Sequence, residues 1–129
     1  MTFEFKILAL AILLGFVQVV VASHAASLQR GYRWSAGARD EPTVALTGVA
    51  GRLERALRNF LETFPLFAAA VLMAHIADRD GALTFWGVQF YIYARLAYVV
   101  LYATGVYLLR SLAWNVATFG VILILLACW

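Results

Sequence analysis

Four stretches of this chain are each long and apolar enough to cross a bilayer, and little is left over to fold any other way. A spanning helix needs roughly 20 mostly apolar residues. Candidates run from about Phe5 to Ala26, Gly51 to Ala77, Leu83 to Leu109, and Ser111 to Trp129. The remainder is one connector of roughly 24 residues and two short ones, too little for a separate soluble domain. The expected architecture is an all-α integral membrane protein, a single domain over residues 1–129 built as a four-transmembrane-helix bundle. Composition agrees: 64% of the chain is hydrophobic and 13% charged, against roughly 45–50% and 25% for soluble domains. Disorder is excluded, and so little polar surface could not cover a soluble fold. A pI of 9.4 resembles that of a nucleic-acid binder, but the formal charge is only +3 and the arginines are scattered among apolar runs. We therefore expect no nucleic-acid partner. The lone Cys128 cannot form an intrachain disulfide, and no Cys/His cluster has metal-ligand spacing.

Lys6 ahead of an apolar run that ends in Ser23-His24-Ala25 also fits a signal peptide. The run is long for that purpose, and three later spans would carry the chain into the membrane regardless. The second span is the least ordinary, because Arg52, Glu54, Arg55, Arg58, Asn59 and Glu62 crowd its first half before Pro65; Pro65 should kink it. Arg30, Arg33, Arg39 and Arg52 lie in or beside the first connector, and Arg110 falls in the third. The positive-inside rule places both connectors in the cytoplasm and both termini outside. Asp40-Glu41-Pro42 reads as a turn in which Asp40 could pair with a connector arginine, and His24 and His75 read as interfacial residues near span ends.

At 100° per residue, Arg52, Arg55, Asn59 and Glu62 make one stripe on the second helix, and Tyr91, Arg95, Tyr98 and Tyr102, continued by Gly105, make one on the third. Counting 1.5 Å per residue from the inner ends, Asn59 and Tyr102 lie about 12 and 10 Å deep, and Glu62 and Tyr98 both about 16 Å. The stripes are in register. An unpaired charge in hydrocarbon costs at least ~2.5–3.5 kcal/mol, so Arg55, Glu62 and Arg95 should face one another or a wet cavity. One reading is purely structural, with Arg55 or Arg95 paired to Glu62. Against it, arginine exceeds the available carboxylate, and the surplus suits an anion, since a guanidinium can donate two parallel hydrogen bonds to a carboxylate. Asn59 and Glu62 add groups for an amide and an ammonium, and Tyr98 or Tyr102 could donate to a thiolate.

These residues resemble a known family. Arg55-Ala56-Leu57-Arg58-Asn59-Phe60-Leu61-Glu62-Thr63-Phe64-Pro65-Leu66-Phe67 follows the pattern Arg-Ala-x-x-Asn-x-x-Glu-x-x-Pro-x-Phe of the MAPEG superfamily, the membrane-associated proteins in eicosanoid and glutathione metabolism. Ala94-Arg95 through Tyr98 and Tyr102 is similar to that family's third-helix motif, and the connector from Arg30 to Pro42 looks like that of bacterial members. The resemblance implies a homotrimer in a bacterial inner membrane, with glutathione bound as co-substrate between subunits on the cytoplasmic side. It implies that Arg55, Asn59 and Glu62 contact glutathione, that Arg95 supports the site, that Tyr98 and Tyr102 line it, and that Arg30 corresponds to a first-helix arginine. Some members place a thiolate-activating arginine near the start of the last helix. Arg110 is the candidate here, one residue from an ungapped alignment.

The activity expected is a membrane glutathione transferase or peroxidase, with catalytic candidates Arg110, Tyr98 and Tyr102, acting on a lipophilic electrophile or hydroperoxide. Two other classes compete: a non-catalytic membrane protein holding a lipid or anionic ligand at the subunit interface, and a small oligomeric channel or transporter. No pair of Gly/Pro-broken half-helices argues for the last.

Overall fold

The structure is a computed structural model that describes all 129 residues. It contains five helices and no strand: α1 (Phe3–Arg30), α2 (Tyr32–Ala36), α3 (Gly48–Ile76), α4 (Ala82–Thr104) and α5 (Tyr107–Ala127). Three are long and apolar enough to cross a membrane: α1, α3 and α5, whose most apolar 18-residue stretches have mean hydropathies of 2.5, 1.4 and 1.8. At 23 residues α4 is also long enough, but Gln89, Arg95 and its tyrosines interrupt it so that no 18-residue stretch is as apolar as those three.

Local chemistry sets the boundaries. Thr2 opens α1 by accepting a hydrogen bond from the Phe5 amide (3.4 Å), and Glu4 and Arg30 sit at the ends that suit their charge. Gly31, at φ 90°, breaks the chain between α1 and α2. The first connector is therefore shorter and more structured than its composition suggests. Glu4 is buried and accepts the Thr84 hydroxyl at 2.8 Å, tying the start of α1 to the start of α4. The expected third span through Leu109 is too long by five residues. Gly105 takes up a left-handed conformation (φ 84°) and caps α4 at Thr104, so Tyr107–Leu109 begins α5 instead. Arg110 is accordingly not a connector residue but lies in the first turn of α5.

Pro65 does not interrupt α3, which is helical on both sides of it. The arginine-carboxylate pairing weighed as one possibility at two places is absent. The one ion pair in the chain joins His75 to Asp80 (2.7 Å), so neither Arg55 nor Arg95 pairs with Glu62, and Asp40 pairs with no connector arginine.

The helix pair α4/α5 makes the most extensive contact, and glycine allows it. A methyl at Gly120 would sit 2.5 Å from the Gly87 carbonyl oxygen, and one at Gly87 would sit 2.7 Å from that of Gly120. Small residues that let backbones touch are how helices associate where the solvent is lipid. Next to this contact, Phe67 stacks on Tyr91 with ring centroids 3.8 Å apart. Around them Ile7, Ala11, Ala70, Val71, Val88 and Ile124 close a core that fills the half of the bundle nearest the termini. The half nearest the first connector has only a small core, formed by Ala56, Tyr98 and Ala113. The polar residues gather there.

Candidate functional site

The two polar stripes meet. Arg95 is 1% exposed, donates from Nη1 to the Asn59 side-chain oxygen at 2.9 Å, and lies over the Tyr98 ring at 4.5 Å. Its Nε is buried with no partner. One turn nearer the connector, Arg55 donates from Nε to the Tyr102 hydroxyl at 3.2 Å. At the edge of the stripe, Arg52 donates to the Ala103 carbonyl at 2.9 Å. That bond caps the end of α4 and fixes α3 against it, so Arg52 is structural. Tyr91, though on the same face of α4, lies within the apolar core and shares a hydrogen bond with Thr63. The stripe is thus divided by depth: Tyr91 packs, while Tyr98 joins the wall of a site with Arg95 and Tyr102 packed against its ring.

The start of α5 completes that wall. Arg110 stacks over the Tyr102 ring at 4.6 Å, and Tyr98 and Tyr102 meet edge to face at 5.6 Å. Asn59, Tyr98 and Arg110 line an open recess of about 380 Å³ together with Ser111, Trp114 and Asn115. The last three were not foreseen as site residues. Their signal was present, since Ser111 and Asn115 are polar residues one turn apart in the expected fourth span, but the start of α5 before Arg110 is what sets them beside Arg110. Beside this recess, sharing Trp114, lies an almost wholly apolar groove of about 150 Å³ bordered by Thr63, Leu66, Val121 and Ile122.

Not every expected residue joins this group. Glu62 and Arg55 are exposed on the surface of the chain, and neither forms an ion pair. Arg30 lies elsewhere, on the α1 side of α3. It borders a recess with Glu54 and Leu57, and its guanidinium lies 5.5 Å from the Trp34 ring. Within one chain, then, Arg30 and the Arg55–Asn59–Glu62 stripe occupy different faces.

The profile of the MAPEG family matches residues 7–129. The chain belongs to the MAPEG family. No curated protein and no solved structure is significantly similar to it. With its three apolar helices, this membership makes the chain an integral membrane protein, in a family of membrane-associated proteins of eicosanoid and glutathione metabolism. In this MAPEG chain, the α3 residues that carry the family pattern are the ones that bond to α4 at Arg95 and Tyr102.

Proposed function

We propose that this MAPEG protein is a membrane glutathione transferase or peroxidase, in which four helices span the bilayer and three copies assemble around shared sites. The observation that carries the reading is the cation cluster beside the recess: Arg55, Arg95 and Arg110 converge on Tyr98 and Tyr102 with no carboxylate ion pair among them. Such a cluster is unfavourable in a membrane unless an anion or water meets it. Glutathione brings two carboxylates and a thiol that becomes a thiolate.

The residues fit these groups. Arg55 offers donors to a carboxylate, Arg95 supports the site from behind through Asn59, and Asn59, whose oxygen is occupied by Arg95, keeps its NH₂ for a peptide carbonyl. Glu62 carries the charge that an ammonium needs. Tyr102 accepts from Arg55 through its oxygen and so retains its own proton to donate to a thiolate. Arg110 adds positive charge beside it, which favours ionisation of a thiol whose ordinary pKa is about 8.5. The apolar groove past Trp114 gives a lipophilic electrophile or hydroperoxide a route to the same point from the bilayer.

Exposure supports an oligomer, and the family resemblance sets its size at three. Glu62 and Arg55 lie on the surface of a span, where lipid contact would be costly, so a second copy covers them in our reading. In a closed ring, one subunit's face meets a different face of its neighbour, which would bring Arg30 to the neighbouring stripe. The positive-inside rule orients the site to the cytoplasm of a bacterial inner membrane.

Titration of glutathione into detergent-purified protein, followed by conjugation to a hydrophobic electrophile, tests this reading. Saturable binding with turnover supports it, and no binding ends it. A second reading, a non-catalytic protein holding a lipid or anion, is favoured by the stacking of Arg110 on Tyr102, which engages the guanidinium without a thiolate. Binding without turnover would select it.

A further inference from the structure

The first connector is folded, and apart from Arg30 at its start its side chains are not used by the site above. Trp34 donates from its indole nitrogen to the Glu41 carbonyl (2.9 Å), and Arg39 donates from Nε and Nη2 to the Ser35 carbonyl (3.0 and 2.9 Å). Gln29 and Thr47 exchange two hydrogen bonds that pin the far end. Arg39 holds φ at 62°, a conformation costly for a residue other than glycine and kept only where the surroundings enforce it. The result is a cup of about 670 Å³ whose wall carries Arg30, Arg33, Arg39, Trp34, Asp40 and Glu41. Both signs of charge face one cavity, yet none of these arginines forms an ion pair with either carboxylate. Arg30 and Arg39 lie over Trp34 at 5.5 and 5.8 Å, and the buried Nε of Arg30 has no partner.

The location adds a constraint. With 28 residues, α1 spans about 42 Å, against a hydrocarbon thickness of about 30 Å. Its end and the connector therefore reach the headgroup layer, and exposed Leu28, Tyr32 and Val44 surround the cup with side chains suited to an interface.

We infer that this cup binds a zwitterionic phosphodiester, the headgroup of an ethanolamine phospholipid: Arg33 and Arg39 hold the phosphate, and Asp40 and Glu41 hold the ammonium. Separated charges of both signs in one cavity match a ligand that itself carries both. A purely anionic headgroup would leave two carboxylates facing it.

The test is native mass spectrometry of the full-length protein, delipidated in detergent and offered dioleoylphosphatidylethanolamine, dioleoylphosphatidylglycerol or soluble glycerophosphoethanolamine. The ethanolamine lipid should bind best, and the soluble headgroup far more weakly. Arg33→Ala should weaken the ethanolamine lipid about tenfold, as expected for one lost charge-assisted contact, while leaving glutathione affinity unchanged. The double variant Asp40→Asn/Glu41→Gln, which keeps the arginine hydrogen bonds of the connector, should reverse the preference towards phosphatidylglycerol. Equal binding of the two lipids by the unaltered protein, or the same preference in the double variant, overturns the inference. Binding of glycerophosphoethanolamine as tight as that of the lipid overturns the membrane source of the ligand.

Discussion

The two ends of the bundle are built to opposite rules. Near the termini, Gly87 and Gly120 bring backbones into contact, Phe67 lies flat on Tyr91, and the surrounding side chains are apolar and buried. Near the first connector, the same helices part around a recess, and their facing side chains are arginine, tyrosine and asparagine. The difference shows how a small membrane protein can hold uncompensated charge. Packing in one half secures the helices, so the other half need not pair every guanidinium or fill every gap. Stability and binding should then be separable by substitution, and the separation can be tested at each end.

Arg110→Ala should give the largest effect. In the proposed mechanism this residue acts on the ionised thiol and not on glutathione binding, so turnover should fall about 10²–10³-fold, the loss typical of removing one preorganised electrostatic contact. Glutathione affinity and melting temperature should stay near those of the unaltered protein. Single-turnover conjugation rates beside calorimetric titration would show this, and unchanged rates would remove Arg110 from the mechanism.

Gly120→Val strikes the opposite end. The added side chain begins 2.5 Å from the Gly87 carbonyl oxygen, a backbone atom that cannot turn away. Overpacking of this kind costs ~1–3 kcal/mol. Thermal unfolding in detergent should shift downward, while the fraction that remains folded binds glutathione as before. An equal loss of affinity in the folded fraction would mean that the two halves are not independent.

Much of this division was legible in the sequence. The charges ahead of Pro65 and the tyrosine stripe of α4 marked which faces of α3 and α4 meet, because helical geometry converts spacing into position. The register was about a turn off: the depths set Asn59 beside Tyr102, whereas Asn59 bonds to Arg95 and Arg55 bonds to Tyr102. Partner choice was less legible. Arg55 and Arg95 bond to an amide and a phenol and not to Glu62, and that depends on side-chain reach across helices, which periodicity does not encode. The end of α4 was misplaced because the apolar residues continue past Gly105, and hydropathy does not register a left-handed turn inside an apolar run. The glycine contact of α4 with α5 was invisible for a related reason: a glycine in a span has no polarity to mark it.

Asn59→Ala tests the border between the halves. Arg95 would remain 1% exposed and lose its one side-chain hydrogen bond, and stranding a buried donor costs ~1–3 kcal/mol. Both melting temperature and glutathione affinity should fall. At this position alone, stability and binding are expected to move together, since Asn59 serves the fold through Arg95 and the ligand through its NH₂. A drop in affinity with an unchanged melting temperature would show that Arg95 finds water or another partner when Asn59 is gone.

The smallest effect expected is that of Tyr102→Phe, and it resolves the connector half most finely. The ring stays, so Arg110 keeps the face it lies over at 4.6 Å, and the packing edge against Tyr98 persists at 5.6 Å. Only the hydroxyl goes, and with it the 3.2 Å acceptor of Arg55. Arg55 keeps the donors it offers to glutathione and loses one neutral acceptor, so the net loss should be ~1 kcal/mol, or about fivefold in glutathione affinity. Melting temperature should not change. If the Tyr102 proton also donates to the thiolate, turnover should fall by more than affinity does. If the two fall equally, Tyr102 only positions Arg55, and Tyr98 is left as the phenol able to donate to sulfur.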